Sequence, residues 1–196
     1  MQLTQRFKDA LDYALELHGD QQRKGSDTPY VAHLLAVASL VLEDGGDEEQ
    51  AIAALLHDGP EDQGGLETLA AIRQRFGDRV ADIVHGCTDT YEMPKPPWRQ
   101  RKESYLEHLQ FASEEVRRVS LADKLHNARS ILTDLLRCGD DVWSRFNGGK
   151  DGTLWYYRSL LQGFRPMNDS PMVTELGWVL QRIESLIEEP AQDCAE

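Results

Sequence analysis

The segment Ala53-Ala54-Leu55-Leu56-His57-Asp58-Gly59-Pro60-Glu61-Asp62 ends an apolar run with four ionisable groups in six positions. A charge withdrawn from water is costly unless it is paired or bound to a metal. A chain carrying this cluster beside a buried helical face must therefore fold so that distant groups reach it. Imidazole plus carboxylate is a ligand set for a divalent cation of intermediate hardness, such as manganese, iron or zinc. Two further candidates lie far off in the sequence. His33 sits in Thr28-Pro29-Tyr30-Val31-Ala32-His33, and Asp123 interrupts the apolar stripe of Val119-Ser120-Leu121-Ala122-Asp123-Lys124-Leu125. Taken alone, His33 reads as a satisfied core histidine, and Asp123 as half of a buried salt bridge.

The surrounding periodicity is helical. Phe7, Ala10, Leu11, Ala14 and Leu17 form one apolar stripe, and Leu34, Val37, Leu40 and Val41 form a second. Thr28-Pro29 reads as an N-cap and first helical position, because the missing proline N–H costs nothing there. Asp47 with Gln50 resembles a capping box opening a helix that carries Ala51 to Asp58. Pro60 biases its predecessor away from helical geometry, so that helix is expected to stop near Asp58, leaving Glu61 and Asp62 on a turn beyond it. Further helices are expected over 66–76, ended by Gly77, and around Val80, Ile83, Val84 and Cys87. The prolines of 91–97 mark a loop. Helices over 98–109 and 114–137 follow, then a glycine loop at Gly148, Gly149 and Gly152. Helices over 153–162 and, from Pro171, to about residue 189 complete an all-α chain without strand pattern or internal repeat.

Composition excludes several function classes. A net charge of −13 argues against a nucleic-acid binder, whose affinity rests on neutralising phosphates with Lys and Arg. It leaves room for a small anionic substrate, because a metal and a few local cations can dominate the field inside a cleft. No apolar run reaches the length of a membrane span, so no membrane association is expected. Cys87, Cys138 and Cys194 are odd in number and lack metal-type spacing, which reads as reduced thiols of a cytoplasmic protein. A length of 196 residues predicts one domain, 1–196, with no room for a second catalytic unit.

The order His33, His57-Asp58, Asp123 resembles the metal-binding signature of HD-domain phosphohydrolases. The blocks Gln22-Arg23-Lys24-Gly25, Thr28 to His33, Leu55 to Asp62, Phe76-Gly77 and Ala122-Asp123-Lys124-Leu125-His126-Asn127-Ala128-Arg129 narrow it. Over roughly 3–165 they are similar to the hydrolase half of RelA/SpoT-type alarmone enzymes, especially the stand-alone small alarmone hydrolases. One departure is visible: Gly59-Pro60 stands where the family usually has an apolar pair, and Gln63 where it has threonine.

The resemblance implies an HD-domain helical bundle that removes the 3′-pyrophosphate from (p)ppGpp. His33, His57, Asp58 and Asp123 become the expected ligands of Mn2+ or another divalent ion. Two His and two Asp leave open positions on an octahedral ion for water and a substrate oxygen. Glu61 and Asp62 become candidates for water activation, since a carboxylate near a metal-bound water can take its proton; otherwise they are a solvated acidic loop. Arg23, Lys24 and Asn127 are expected to position the nucleotide, Lys124 to neutralise phosphate charge or cover apolar surface. Lys150 and Tyr156 are candidates for the 5′-phosphate end. Adenosine alarmones or NADPH as substrates, or a non-catalytic nucleotide sensor, are the alternatives. Oligomeric state and the role of the tail after Pro190 stay open.

Overall fold

Apolar residues recur every three to four positions almost end to end, and the computed structural model, which describes residues 2–188, answers them with helices. They are α1 (Gln5–His18), α2 (Val31–Glu43), α3 (Glu48–Leu56), α4 (Gly59–Asp62), α5 (Gly65–Phe76), α6 (Asp78–Cys87), α7 (Trp98–Phe111), α8 (Glu114–Cys138), α9 (Gly149–Gly163) and α10 (Pro171–Glu188). Short 3₁₀ turns occupy Gly139–Arg145 and Arg165–Met167. Among the described residues the sole β feature is an isolated antiparallel bridge between Gln22 and Pro29. None of these helices is long and apolar enough to cross a membrane.

The core is organised around α3. Every residue from Gln50 to Leu56 is buried, as expected of a helix that is apolar on all sides. α1, α2, α6 and α8 pack against it, while α10 lies along α8 and α9 bridges α7 and α10. The long α8, about 37 Å at 1.5 Å per residue, presents Ser120 to Asp123 as a continuous buried stretch midway along its length. Two polar residues, Ser120 and Asp123, are therefore held within the interior between apolar neighbours.

Capping chemistry accounts for several boundaries. The Asp47 carboxylate accepts the Gln50 N–H at 3.0 Å, and Ser113 caps α8 by accepting from Val116 N at 3.2 Å. Gly77, at φ 92°, ends α5. The expected loop over 91–97 is irregular. The α1 stripe is turned towards Tyr13 and His18, which are buried with Ala10 and Ala14, while Phe7, Leu11 and Leu17 are only half-buried.

Three expectations need correction. α2 begins at Val31, after Thr28-Pro29, because the backbone there pairs with the preceding loop: Arg23 N donates to Thr28 O at 2.8 Å and Tyr30 N to Gln21 O at 2.8 Å. α3 stops at Leu56, and Glu61 and Asp62 lie on the separate one-turn α4, where Pro60 occupies the first turn that tolerates its missing N–H. Gly152 lies inside α9 rather than in a loop, and a Cβ there would come within 3.1 Å of the Trp98 ring. That glycine serves close packing, not a turn. The last residue expected in α10, Glu189, lies outside the described residues, as do Cys194 and the tail after Pro190.

A second close approach joins α6 to α8. A Cβ on Gly86 would lie 2.6 Å from Val116 Cγ2 and 3.3 Å from its Cβ, and a stiff β-branched side chain cannot swing away. Gly86→Ala is expected to destabilise the fold by about 1–3 kcal/mol, read as a lowered denaturant midpoint with unchanged slope. A variant at least as stable as the parent would show that the two helices separate without cost.

Candidate metal and active site

Local structure brings the ionisable cluster together from four directions. α2 carries His33 in its first turn, His57 follows the last residue of α3, Asp58 precedes α4, and α8 delivers Asp123. His33, His57 and Asp123 are 1%, 2% and 5% exposed. His33 Nε2 lies 3.5 Å from Asp58 Oδ2 and 3.2 Å from Asp123 Oδ1. His57 Nε2 lies 3.1 Å from Asp58 Oδ2 and 3.7 Å from Asp123 Oδ1. Two ligands each about 2.1 Å from one ion stand about 3 Å apart at a right angle, so this spacing matches atoms sharing a cation.

The hydrogen bonds agree with that fit. His57 Nδ1 donates to the Ala54 carbonyl at 2.8 Å, which fixes the tautomer and leaves Nε2 with a lone pair facing the carboxylates. Neither His33 Nε2 nor His57 Nε2 has a well-formed hydrogen-bond partner, although both are fully buried. Orphaned, converging imidazole nitrogens beside two carboxylates make a donor set suited to a divalent ion. Burial opposes charge on His57, but Asp58 and Asp123 outweigh it and hold its pKa well above the ordinary value. Asp58 and Asp123 are held well below the usual carboxylate range, against burial, chiefly by His57 and by Lys124 respectively. A metal would take the place of the proton that this arrangement favours.

A surrounding layer orients these groups. Tyr30 donates its hydroxyl to Asp58 Oδ2 at 2.6 Å. Lys124 Nζ contacts Asp123 Oδ2 at 2.6 Å, and Asn127 Nδ2 donates to Asp123 Oδ1 at 2.6 Å. Arg23 reaches across from its loop to Asn127 Oδ1 at 2.7 Å. His126 Nδ1 lies 2.7 Å from His33 Nδ1. Burial, then His33 and Arg23, push the His126 pKa down to about 4, which favours a neutral ring there.

His33, Tyr30, Lys124 and Asn127 form one end of a cavity of about 780 Å³. Its wall also carries Arg23, Lys24, Lys102, Arg129, Arg137 and Arg145, against a single acid, Asp134. In a chain of net charge −13, such a cavity is a local reversal of sign. Tyr156 lines the same cavity, and its buried hydroxyl has no hydrogen-bond partner. Lys150 instead pairs with Asp140 at 2.9 Å and is not part of the wall.

Glu61 and Asp62 flank the metal cluster on α4. Glu61 Oε1 meets Lys95 Nζ at 2.9 Å, and its Oε2 accepts from Asp89 N at 3.3 Å. Asp62 Oδ2 accepts from Gln21 Nε2 at 3.0 Å. Neither acid is in the cavity wall, whereas Gln21 is. The residues that sequence reasoning missed are of this kind. Tyr30 lies one helical turn before His33, a spacing that is legible. Lys102 sits in the basic run Arg99 to Lys102 and looks like surface charge, yet it is folded inward beside buried Asp89, which also pairs with Arg101.

Comparison with known proteins places these features in a family. The HD domain family model matches residues 10–154. The guanosine-3′,5′-bis(diphosphate) 3′-pyrophosphohydrolase MESH1 of Xenopus tropicalis is 40% identical over 139 residues, covering 69% of this chain and 73% of that protein. The human MESH1 is 36% identical over the same shares. The guanosine-3′,5′-bis(diphosphate) 3′-pyrophosphohydrolase of Aquifex aeolicus is 37% identical over 66% of this chain and 18% of its own length. The solved structure of a metazoan ortholog of SpoT that hydrolyzes ppGpp superposes with a TM-score of 0.76 at 24% identity, covering 93% of this chain and 98% of that one, a likeness of fold. A Listeria monocytogenes EGD-e protein superposes at 0.67 with 33% identity, over 78% and 99% of the two chains. With its histidines and aspartates gathered on the helices that this fold supplies, the chain belongs to the HD domain family.

Proposed function

We propose that this chain is a metal-dependent guanosine-3′,5′-bis(diphosphate) 3′-pyrophosphohydrolase, converting (p)ppGpp to GDP or GTP and pyrophosphate. The observation that carries the reading is a cavity rich in Lys and Arg, in an acidic protein, that reaches His33, one of four imidazole and carboxylate groups spaced for one cation. The identity shared with MESH1 proteins over more than two thirds of the chain supports the guanosine alarmone as substrate. Reduced Cys87 and Cys138, one of them buried, are in keeping with a cytoplasmic enzyme.

In this reading His33, His57, Asp58 and Asp123 hold the ion, and the mixture of imidazole with hard carboxylate oxygens favours Mn2+ over zinc. The ion, when bound, supplies positive charge that acidifies water and relieves negative charge on phosphoryl oxygens. Tyr30 and Asn127 keep Asp58 and Asp123 in register, as the outer hydrogen bonds of a metal site do. Arg23, with its guanidinium already anchored on Asn127, presents a flat face to a purine. Lys24, Lys102 and Lys124 sit where phosphate charge accumulates, and Tyr156 offers an unsatisfied hydroxyl to the far phosphates. Glu61 or Asp62 accepts a proton from the attacking water as the water oxygen bonds to phosphorus; the bond from phosphorus to the ribose 3′-oxygen breaks, pyrophosphate leaves, and that proton passes to the ribose oxygen. Lys95 Nζ, 2.9 Å from Glu61 Oε1, fixes the direction of that carboxylate.

The direct test is pyrophosphate release from ppGpp by protein supplied with Mn2+, set against protein treated with EDTA. A panel of ppGpp, ppApp and NADPH ranks the substrates, and turnover of ppGpp below that of NADPH would replace the substrate assignment. Nucleotide binding with no turnover of any panel member would make the chain a sensor instead. Asp123→Ala is expected to lose metal binding by calorimetry and activity together, since Lys124 and Asn127 are left without their shared acceptor. Glu61→Gln is expected to keep metal affinity while kcat falls by about 100-fold, as loss of a general base commonly causes. Wild-type kcat in Glu61→Gln would remove that residue from the proton-accepting role.

A further inference from the structure

Asp58 and Asp62 stand on the two ends of α4, and a single line of side chains outside that helix connects them. Gln21 Nε2 lies 3.0 Å from Asp62 Oδ2, and its Oε1 lies 2.7 Å from His18 Nδ1 and 3.1 Å from Gln63 Nε2. The chemistry leaves one orientation. An ionised carboxylate only accepts, so Gln21 must turn its NH2 towards Asp62 and its carbonyl oxygen towards His18. His18 Nδ1 must then carry a proton. Its ring is 3% exposed and stacks on Tyr30 with centroids 5.0 Å apart and planes at 19°. Tyr30 in turn donates to Asp58 Oδ2.

The backbone locks the same segment. Gln21 N donates to His18 O at 2.9 Å, and Tyr30 N donates to Gln21 O at 2.8 Å. Gln21 is thus held at both its main chain and its side chain, although it belongs to a connecting loop. Several fixed contacts on one amide leave it little freedom to follow a mobile partner. Asp62, with its side chain about 29% exposed on a one-turn helix, takes the 3.0 Å bond of that amide at Oδ2, while its Oδ1 has only the longer 3.8 Å contact to Lys95 Nζ.

We propose that Gln21 is a positioning residue: braced by His18 and Gln63, it aims the Asp62 carboxylate and ties it through Tyr30 to the metal-side acid Asp58. The inference rests on Asp62 sharing the proton-accepting role proposed above. Gln21 itself lines the cavity, so its variants are compared by the split between kcat and KM.

The experiment measures kcat and KM for ppGpp, Mn2+ affinity by calorimetry and the melting temperature, for wild type, Gln21→Met, Asp62→Asn and the double variant. Gln21→Met keeps side-chain length and removes all three side-chain hydrogen bonds, to Asp62, His18 and Gln63. It is expected to lower kcat by about tenfold, the size of one hydrogen bond to a charged group, with KM and Mn2+ affinity within about twofold of wild type. In the Asp62→Asn background the same substitution is expected to cost nothing further, because residues acting on one another are not additive. An unchanged kcat in Gln21→Met beside an impaired Asp62→Asn overturns the proposal while leaving the role of Asp62 intact. So does a kcat loss that persists in full in the double variant, or one accompanied by an equal loss of Mn2+ affinity. Wild-type turnover in Asp62→Asn removes the role of Asp62 and this proposal with it.

Discussion

The burial of His57, with the half-buried Asp58 beside it, at the end of α3 is the constraint on which the other features depend. α3 is apolar on all sides and cannot turn this pair outward without exposing its own core face. Removing one partner from a buried charge pair costs about 3–5 kcal/mol, so α2 and α8 must deliver His33 and Asp123 to the same point. The long uninterrupted α8 follows from that need: Asp123 sits where apolar residues before and after it fix the helix against α2, α3 and α6. Tyr30 and Asn127 then donate to Asp58 Oδ2 and Asp123 Oδ1, the same oxygens that face the imidazoles, while Lys124 pairs with the other Asp123 oxygen, Oδ2.

Charge is sorted on a larger scale by the same fold. The outer surface carries most of the acid surplus, while cations from the loop after α1, from α7 and from α8 turn into one cavity. Several are pre-paired: Lys102 with Asp89, Arg145 with Asp134, Arg129 with Glu175. Pairing spares the apo protein the repulsion of bare cations and lets an incoming polyanion exchange partners rather than meet unsolvated charge. Low-dielectric walls concentrate that field at the metal end.

The legible parts of this architecture are those governed by local rules. The helical period, the Asp47 cap and the Gly77 stop depend on a few neighbouring residues, and the structure reproduces them. The start of α2 was misread because Thr28-Pro29 obeys a longer-range demand, pairing with residues 21–23 across a tight loop. Gly152 was misread for a similar reason: a glycine in isolation signals a turn, and only Trp98 packed against it shows that it marks close contact. Pro60 was read correctly as a break, yet the chain resumes a helical turn at once because proline fits the first turn of a new helix.

The sequence by itself determined an all-α chain, an acidic surface and which ionisable residues sit in apolar surroundings, since each follows from composition or from periodicity within a few turns. It also carried, in the order of its motifs, the likeness to the HD domain family. Only the tertiary structure decided that Tyr30 serves Asp58, that Lys102 faces inward, that Lys150 turns away to Asp140, and that Gln21 reaches Asp62. Tyr30 with Asp58 and Gln21 with Asp62 join residues 28 and 41 positions apart, and side-chain direction is set by how helices pack rather than by the letters on either side. Local rules choose the elements; which faces meet depends on burying them all at once.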